Sequence, residues 1–139
     1  MAGLERFGVS IPTELVEAFD SRIKDKGYKN RSEAIRDMMR DYLVEGEWES
    51  DTGTVVGTVT IVYNHGTREL THVLNDIQHH HTDAVVCSTH VHLDEHNCLE
   101  VVVVKGRVSE VREIAEYLIS TRGVKHGKLV CTTAGANLK

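Results

Sequence analysis

The polar and apolar positions separate the chain into two stretches of different character. Residues 6–11 alternate, with Phe7, Val9 and Ile11 on one side and Arg6, Gly8 and Ser10 on the other. That is the period of a half-buried strand. Pro12 ends it, because proline lacks the N–H that a ladder needs. Leu15, Val16, Phe19 and Ile23 then recur at helical spacing. Glu14 stands in the first turn, where the helix dipole favours a negative charge, and Gly27 is placed as a C-cap. Asn30-Arg31-Ser32-Glu33 has the form of a capping box and opens a second helix. Ile35, Met38, Met39, Tyr42 and Leu43 form its apolar stripe. Strand-helix-helix in about forty-five residues is near the size at which a lone chain struggles to fold. Its single strand has no partner within the unit, so its backbone groups are expected to pair with the same strand of a second copy. The product is an intertwined dimer with a two-stranded ribbon, which fits the DNA major groove.

Residues 45–53 are polar, acidic and flanked by glycine, which reads as a linker. The predicted organisation is a first domain over 1–46, a linker over 47–53 and a second domain over 54–139. In the second domain, residues 54–63 are rich in Val, Ile and Thr and predict a strand. Leu70, Val73, Leu74 and Ile77 give an amphipathic helix over 69–78. Residues 84–93 and 99–104 predict two strands joined by a polar turn. Gly106 is expected to break the chain before a helix over about 109–121, capped by Gly123. A last strand over 125–132 and a frayed tail complete the reading. The order strand-helix-strand-strand-helix-strand is the split βαβ arrangement of ferredoxin-like domains, used by ACT-type ligand-binding domains. The fold class is therefore α+β, and the fold alone assigns no function.

The chemistry concentrates in residues 78–98, which hold six of the nine histidines and two of the three cysteines. Imidazole and thiolate bind late transition metals. On a strand, His90 and His92 point the same way. Cys98 joins them if His92 pairs with Cys98 and His90 with Glu100, the register predicted here; a one-residue slip would send it to the other face. Glu100 then stands beside the site to hydrogen-bond an imidazole. A fourth ligand is expected from His79, His80 or His81. Ni(II) or Cu(II) suits a nitrogen-rich square plane with one thiolate, whereas Zn(II) asks for a tetrahedron. His80 and His81 are also candidates for a weaker second site with His65. Cys87 and Cys131 read as packing residues, and Trp48 as an anchor for the linker.

Composition narrows the setting. A chain of 139 residues with 40% hydrophobic content suits one ordinary domain or two small ones. No run approaches the roughly 20 apolar residues of a membrane span, and the charged N-terminus lacks an apolar signal core, so a cytoplasmic protein is expected. Three cysteines argue against a disulfide framework. The net charge of −5 gives no hint of nucleic-acid binding. Residues 22–40, however, carry seven Lys or Arg against three acids, a local basic footprint.

The opening domain resembles the ribbon-helix-helix repressors, most specifically at Asn30-Arg31-Ser32-Glu33-Ala34-Ile35-Arg36-Asp37. The resemblance implies base reading by the strand, at Arg6, Gly8 and Ser10. It implies phosphate contact at the second helix's start, at Asn30, Arg31 and Ser32. Gly8 departs from the family's usual polar residue and has no side chain with which to read a base. The whole chain resembles the nickel-responsive repressors (NikR). That likeness rests on Gln78-His79-His80-His81, His90-Val91-His92, Cys98-Leu99-Glu100 and Gly123-Val124-Lys125-His126-Gly127. It implies one Ni(II) per subunit, held by His90, His92 and Cys98 of one subunit and His79 of a neighbour. It further implies a homotetramer, a dimer of dimers on palindromic double-stranded operator DNA, with nickel promoting the binding. Glu33 and Asp37 match positions that hold K+ or another cation, and Arg68 one that contacts the DNA backbone. The expected role is a repressor of nickel-uptake genes, not an enzyme.

Two further readings use the same residues. A metal-dependent hydrolase would need an open coordination position and a general base, for which Glu100 is the candidate. The four apparent ligands leave no such position. The other is a DNA-binding regulator responsive to Zn, Cu or an amino acid.

Overall fold

The structure is a computed structural model that describes residues 3–139. The chain divides into two compact units, one up to Asp41 and one from Tyr42 onward. In the first, α1 spans Thr13–Asp25 and α2 begins at Arg31. Gly27 takes the left-handed conformation, φ +86°. The Tyr28 N–H then donates to Ile23 O and the Gly27 N–H to Lys24 O, the paired bonds that close a helix at a C′ glycine. Asn30 caps α2, its Oδ1 accepting the Glu33 N–H at 2.9 Å. These local signals fold as the sequence predicts.

The predicted strand over residues 6–11 has no ladder within one chain, and residues 3–12 carry no regular element. Phe7, Val9 and Ile11 are 69%, 66% and 48% exposed. A strand needs a neighbour, and this unit supplies none. The predicted linker over 47–53 needs correction. Helix α2 runs through to Ser50, leaving only Asp51, Thr52 and Gly53 irregular before the first strand.

The second unit contains β1 (Thr54–Asn64), α3 (Leu70–His80), β2 (Val85–His92), β3 (Asn97–Arg107), α4 (Val108–Ser120) and β4 (Val124–Thr133). The sheet order is β2-β3-β1-β4, with all three pairings antiparallel. This is the βαββαβ arrangement expected. Strand β3 runs past Gly106, which pairs with Val55 rather than breaking the chain.

One sheet face is closed by the helices. Val55, Val59, Ile61 and Tyr63 from β1 and Val102 and Val104 from β3 meet Leu70, Leu74, Ile114 and Leu118 in a continuous core. A Cβ at Gly127 would stand 2.7 Å from Ile119 Cγ1 and 3.0 Å from Ile61 Cγ2, so the close approach there requires glycine. The last turns of α2 belong to this unit. Trp48 is buried, its Nε1–H donating to Thr132 O at 2.8 Å with the Arg112 guanidinium over its ring at 5.2 Å. Asp51 adopts φ +47° and accepts the Ser109 N–H at 3.2 Å, capping α4. Among the described residues, no helix is long and apolar enough to cross a membrane.

Candidate metal centre and nucleic-acid interface

The hairpin register is the predicted one: His92 opposes Cys98 and His90 opposes Glu100. These four positions share the face that β3 turns toward the core. The connecting turn is tightly held. Asp94 Oδ1 accepts the backbone N–H groups of His96 at 2.8 Å and Asn97 at 2.7 Å. The Asn97 amide nitrogen also reaches both carboxylate oxygens. These bonds, the Asn97 side-chain amide first, pull the Asp94 carboxyl down to about 2. Lys125 Nζ donates to Asn97 Oδ1 at 2.6 Å, tying the turn to β4. These bonds set the spacing of His92 and Cys98.

His90 stands at the centre of a small polar cluster. Its Nε2 lies 2.9 Å from Glu100 Oε1, and its Nδ1 lies 3.3 Å from the Tyr63 hydroxyl and 3.8 Å from Cys98 Sγ. Cys98 is buried. Glu100 is wholly buried; its Oε1 also accepts from Gln78 Nε2 at 3.3 Å, and its Oε2 has no hydrogen-bond partner. Burial, and then the Glu100 and Cys98 charges, push the Tyr63 phenol up. Glu100 thus stands within hydrogen-bond distance of a hairpin imidazole. The contribution of Gln78, which joins this carboxylate to the end of α3, is one the motif reading missed. Its position next to His79 was the available signal.

The donor set fits a nickel ion in chemistry. Metal–nitrogen and metal–sulfur bonds of roughly 2.0–2.3 Å place neighbouring donors about 3 Å apart, and His90 Nδ1 and Cys98 Sγ face each other a little beyond that. His92 is turned aside, its ring packing edge-on against His65 with centroids 5.1 Å apart. His79 is exposed near the end of α3. Among the described residues, no three His, Cys, Asp or Glu side chains of one chain gather into a metal-holding group. Three of the four expected ligands, His90, His92 and Cys98, lie on one hairpin.

Within one chain, His65, His80 and His81, the residues suggested for a second site, make separate contacts. His65 packs on His92, His80 Nδ1 bonds the Asp76 carbonyl at 2.7 Å, and His81 stacks on Tyr117. Cys87 and Cys131 are exposed, not packed: Cys87 lies on the sheet face that has no covering layer in one chain, and Cys131 on the edge strand β4.

In the first unit, Arg6, Gly8 and Ser10 lie in the exposed segment before α1, and Asn30, Arg31 and Ser32 are exposed at the start of α2. Arg31 grips Asp20 on α1 with two bonds, Nε to Oδ1 at 2.7 Å and Nη2 to Oδ2 at 2.6 Å. Glu33 and Asp37 stand one turn apart on α2. Both Asp37 oxygens are engaged, Oδ2 by the Tyr28 hydroxyl at 2.8 Å and Oδ1 by Arg40 at 3.0 Å. Arg68 is exposed in the turn before α3.

Comparison with known proteins places this geometry. Residues 56–132 match the NikR C terminal nickel binding domain, and residues 5–46 match the ribbon-helix-helix proteins of the copG family. Curated relatives described as nickel-responsive regulators align along nearly the whole chain. One from Thermococcus onnurineus is 59% identical over 97% of this chain and 98% of its own length. One from Pyrococcus furiosus is 55% identical over 98% and 99%, and one from Solibacter usitatus 55% over the full length of both. A solved structure of an uncharacterized protein from Thermotoga maritima shares the fold of part of the chain, with TM-score 0.51 and 16% identity over 57% of this chain and 98% of that one. With its nickel-domain match covering more than half its length and its relatives spanning nearly all of it, the chain belongs to the family of nickel-responsive regulators, a ribbon-helix-helix unit joined to a NikR C-terminal domain.

Proposed function

We propose that this protein is a nickel-responsive transcriptional repressor of nickel-uptake genes. One Ni(II) per subunit is held by His90, His92 and Cys98 of one chain and His79 of a second, in a homotetramer. The observation that carries this reading is the β2–β3 register, which sets His90, His92 and Cys98 on one face of an edge hairpin. The uncovered sheet face, with Val91 and Val130 exposed, supports assembly with further copies. Bound nickel supplies a cationic bridge between the hairpin of one chain and helix α3 of another. Glu100 accepts from His90 and fixes the ring's orientation, as carboxylates beside metal-bound imidazoles do. Gln78 holds the end of α3, with His79 next to it, against the same carboxylate.

In the first unit, two copies of the segment containing Arg6, Gly8 and Ser10 form the ribbon that enters the major groove. Arg6 and Ser10 carry the reading side chains, while Gly8 offers only backbone. Asn30, Arg31 and Ser32 anchor on phosphate at the positive end of α2, and Arg68 adds a backbone contact. Nickel favours the DNA-competent arrangement by binding it more tightly than the alternative. A cation such as K+ at Glu33 and Asp37 accompanies that arrangement; it has to compete with Arg40 for Asp37. The chain acts in the cytoplasm and as a regulator, not a catalyst.

A Ni(II) titration of metal-free protein, followed by absorbance, tests the site. A thiolate-to-nickel charge-transfer band should saturate at one nickel per chain and vanish in Cys98→Ala. Persistence of the band in that variant would refute the ligand set. His79→Ala should keep fold and assembly yet lose nickel-dependent DNA binding; unchanged nickel dependence would remove the second-chain ligand from the scheme.

A further inference from the structure

Asp20 and Arg31 meet in the two-pronged geometry with which a guanidinium grips either a carboxylate or a phosphate. The Arg31 hydrogen bond holds the Asp20 carboxyl below its usual range. Both side chains stay open to solvent, 59% exposed for Arg31 and 42% for Asp20, so the pair adds little to stability. Its consequence is electrostatic. Arg31 is the first residue of α2, where the helix already presents positive potential and an anion is favoured. The Asp20 carboxylate is therefore bound by the same guanidinium that the DNA-binding reading offers to a backbone phosphate.

We propose that Asp20 is an internal stand-in for a phosphate that keeps Arg31 neutralised and restrains the electrostatic, sequence-independent part of DNA binding. The proposal rests on the DNA-binding reading above. A phosphate arriving at Arg31 exchanges one two-pronged ion pair for another, so Arg31 adds little to attraction for an arbitrary duplex.

The test is anisotropy titration of a random-sequence duplex with the nickel-loaded full chain over a range of NaCl. Wild type, Asp20→Asn, Arg31→Gln and the double variant are compared. Asp20→Asn should bind roughly three- to thirtyfold tighter at low salt, and its plot of log K against log salt should steepen by about 0.9 for each phosphate newly contacted. The double variant should return to the Arg31→Gln values. A slope unchanged in Asp20→Asn overturns the proposal. So does a gain that survives in the double variant, because it would come from deleting a negative charge anywhere on the surface. Asp20→Ser repeats the measurement should the asparagine variant melt early. A wild-type protein whose duplex affinity ignores salt would defeat the DNA-binding reading itself, an outcome separate from the comparison among variants.

Discussion

The two units of this chain place their apolar side chains in opposite ways. In the second unit, Ile61, Leu74, Ile114 and Leu118 are sealed between sheet and helices, all at 3% exposure or less. In the first, Phe7, Val9, Leu15 and Met38 are each more than half exposed. Ala34 is the one buried core residue among those described up to Asp41. A segment this small cannot bury enough surface by itself, and exposed apolar patches on that scale mark an interface. The second unit is thus a domain whose core one chain completes. The first unit leaves nearly all of its apolar side chains uncovered within one chain.

Phe7→Asp should break that contrast most severely. In an intertwined dimer, two carboxylates would enter an apolar seam, a burial costing several kcal/mol. DNA affinity should fall by more than about a hundredfold. The nickel charge-transfer band should remain, since the hairpin ligands lie wholly in the other unit. Loss of both signals together would show that the two units do not fold separately.

Leu118→Ala attacks the closed core instead. Its side chain is fully buried, so the cavity should cost about 2–5 kcal/mol, read as a lower midpoint in chemical denaturation. Leu15→Ala, at a position 61% exposed in one chain, should act chiefly through dimerisation, its cost growing as the protein is diluted. Equal, concentration-independent losses in both variants would contradict the comparison.

The sequence made the helix ends and the hairpin legible because their signals are local. The capping box at Asn30, the C′ glycine at Gly27 and the short polar turn before Cys98 each constrain a few neighbouring residues. Face alternation on the hairpin then left one register that gathers His90, His92 and Cys98. What was not legible depends on distant or missing partners. Residues 45–50 look like a linker, with Gly46 among acids, yet they are helical because Val44 packs on the core and Trp48 docks one turn later. The Trp48 bond to Thr132 spans 84 residues, and the Asp51 cap on α4 spans 58; neither leaves a local pattern. The engagement of Arg31 by Asp20 lies beyond periodicity for the same reason. The strand over residues 6–11 has the right alternation, but a ladder requires a second chain.

The smallest expected effect concerns the turn that spaces His92 and Cys98. Asp94 is drawn down from the ordinary 3.8 to about 2 by the amides that its carboxylate accepts. A group whose folded value is depressed stabilises the folded state above its unfolded value and loses that contribution as pH falls through the folded one. The turn is therefore fully held at neutral pH and released between about pH 4 and pH 2. Asp94→Ala in the metal-free protein should lower the melting temperature slightly above pH 4, and the gap to wild type should close as pH approaches 2. Because the carboxylate is solvent-exposed, screening keeps the effect small. At neutral pH the nickel affinity should fall by less than the roughly tenfold associated with removing a group bonded directly to a ligand, since Asp94 acts only on backbone spacing. A gap that persists to pH 2 would mean that alanine perturbs the turn through its backbone and not through the lost carboxylate. A loss of nickel affinity well beyond tenfold would make the turn part of the metal site itself, and its carboxylate would then do more than space the hairpin.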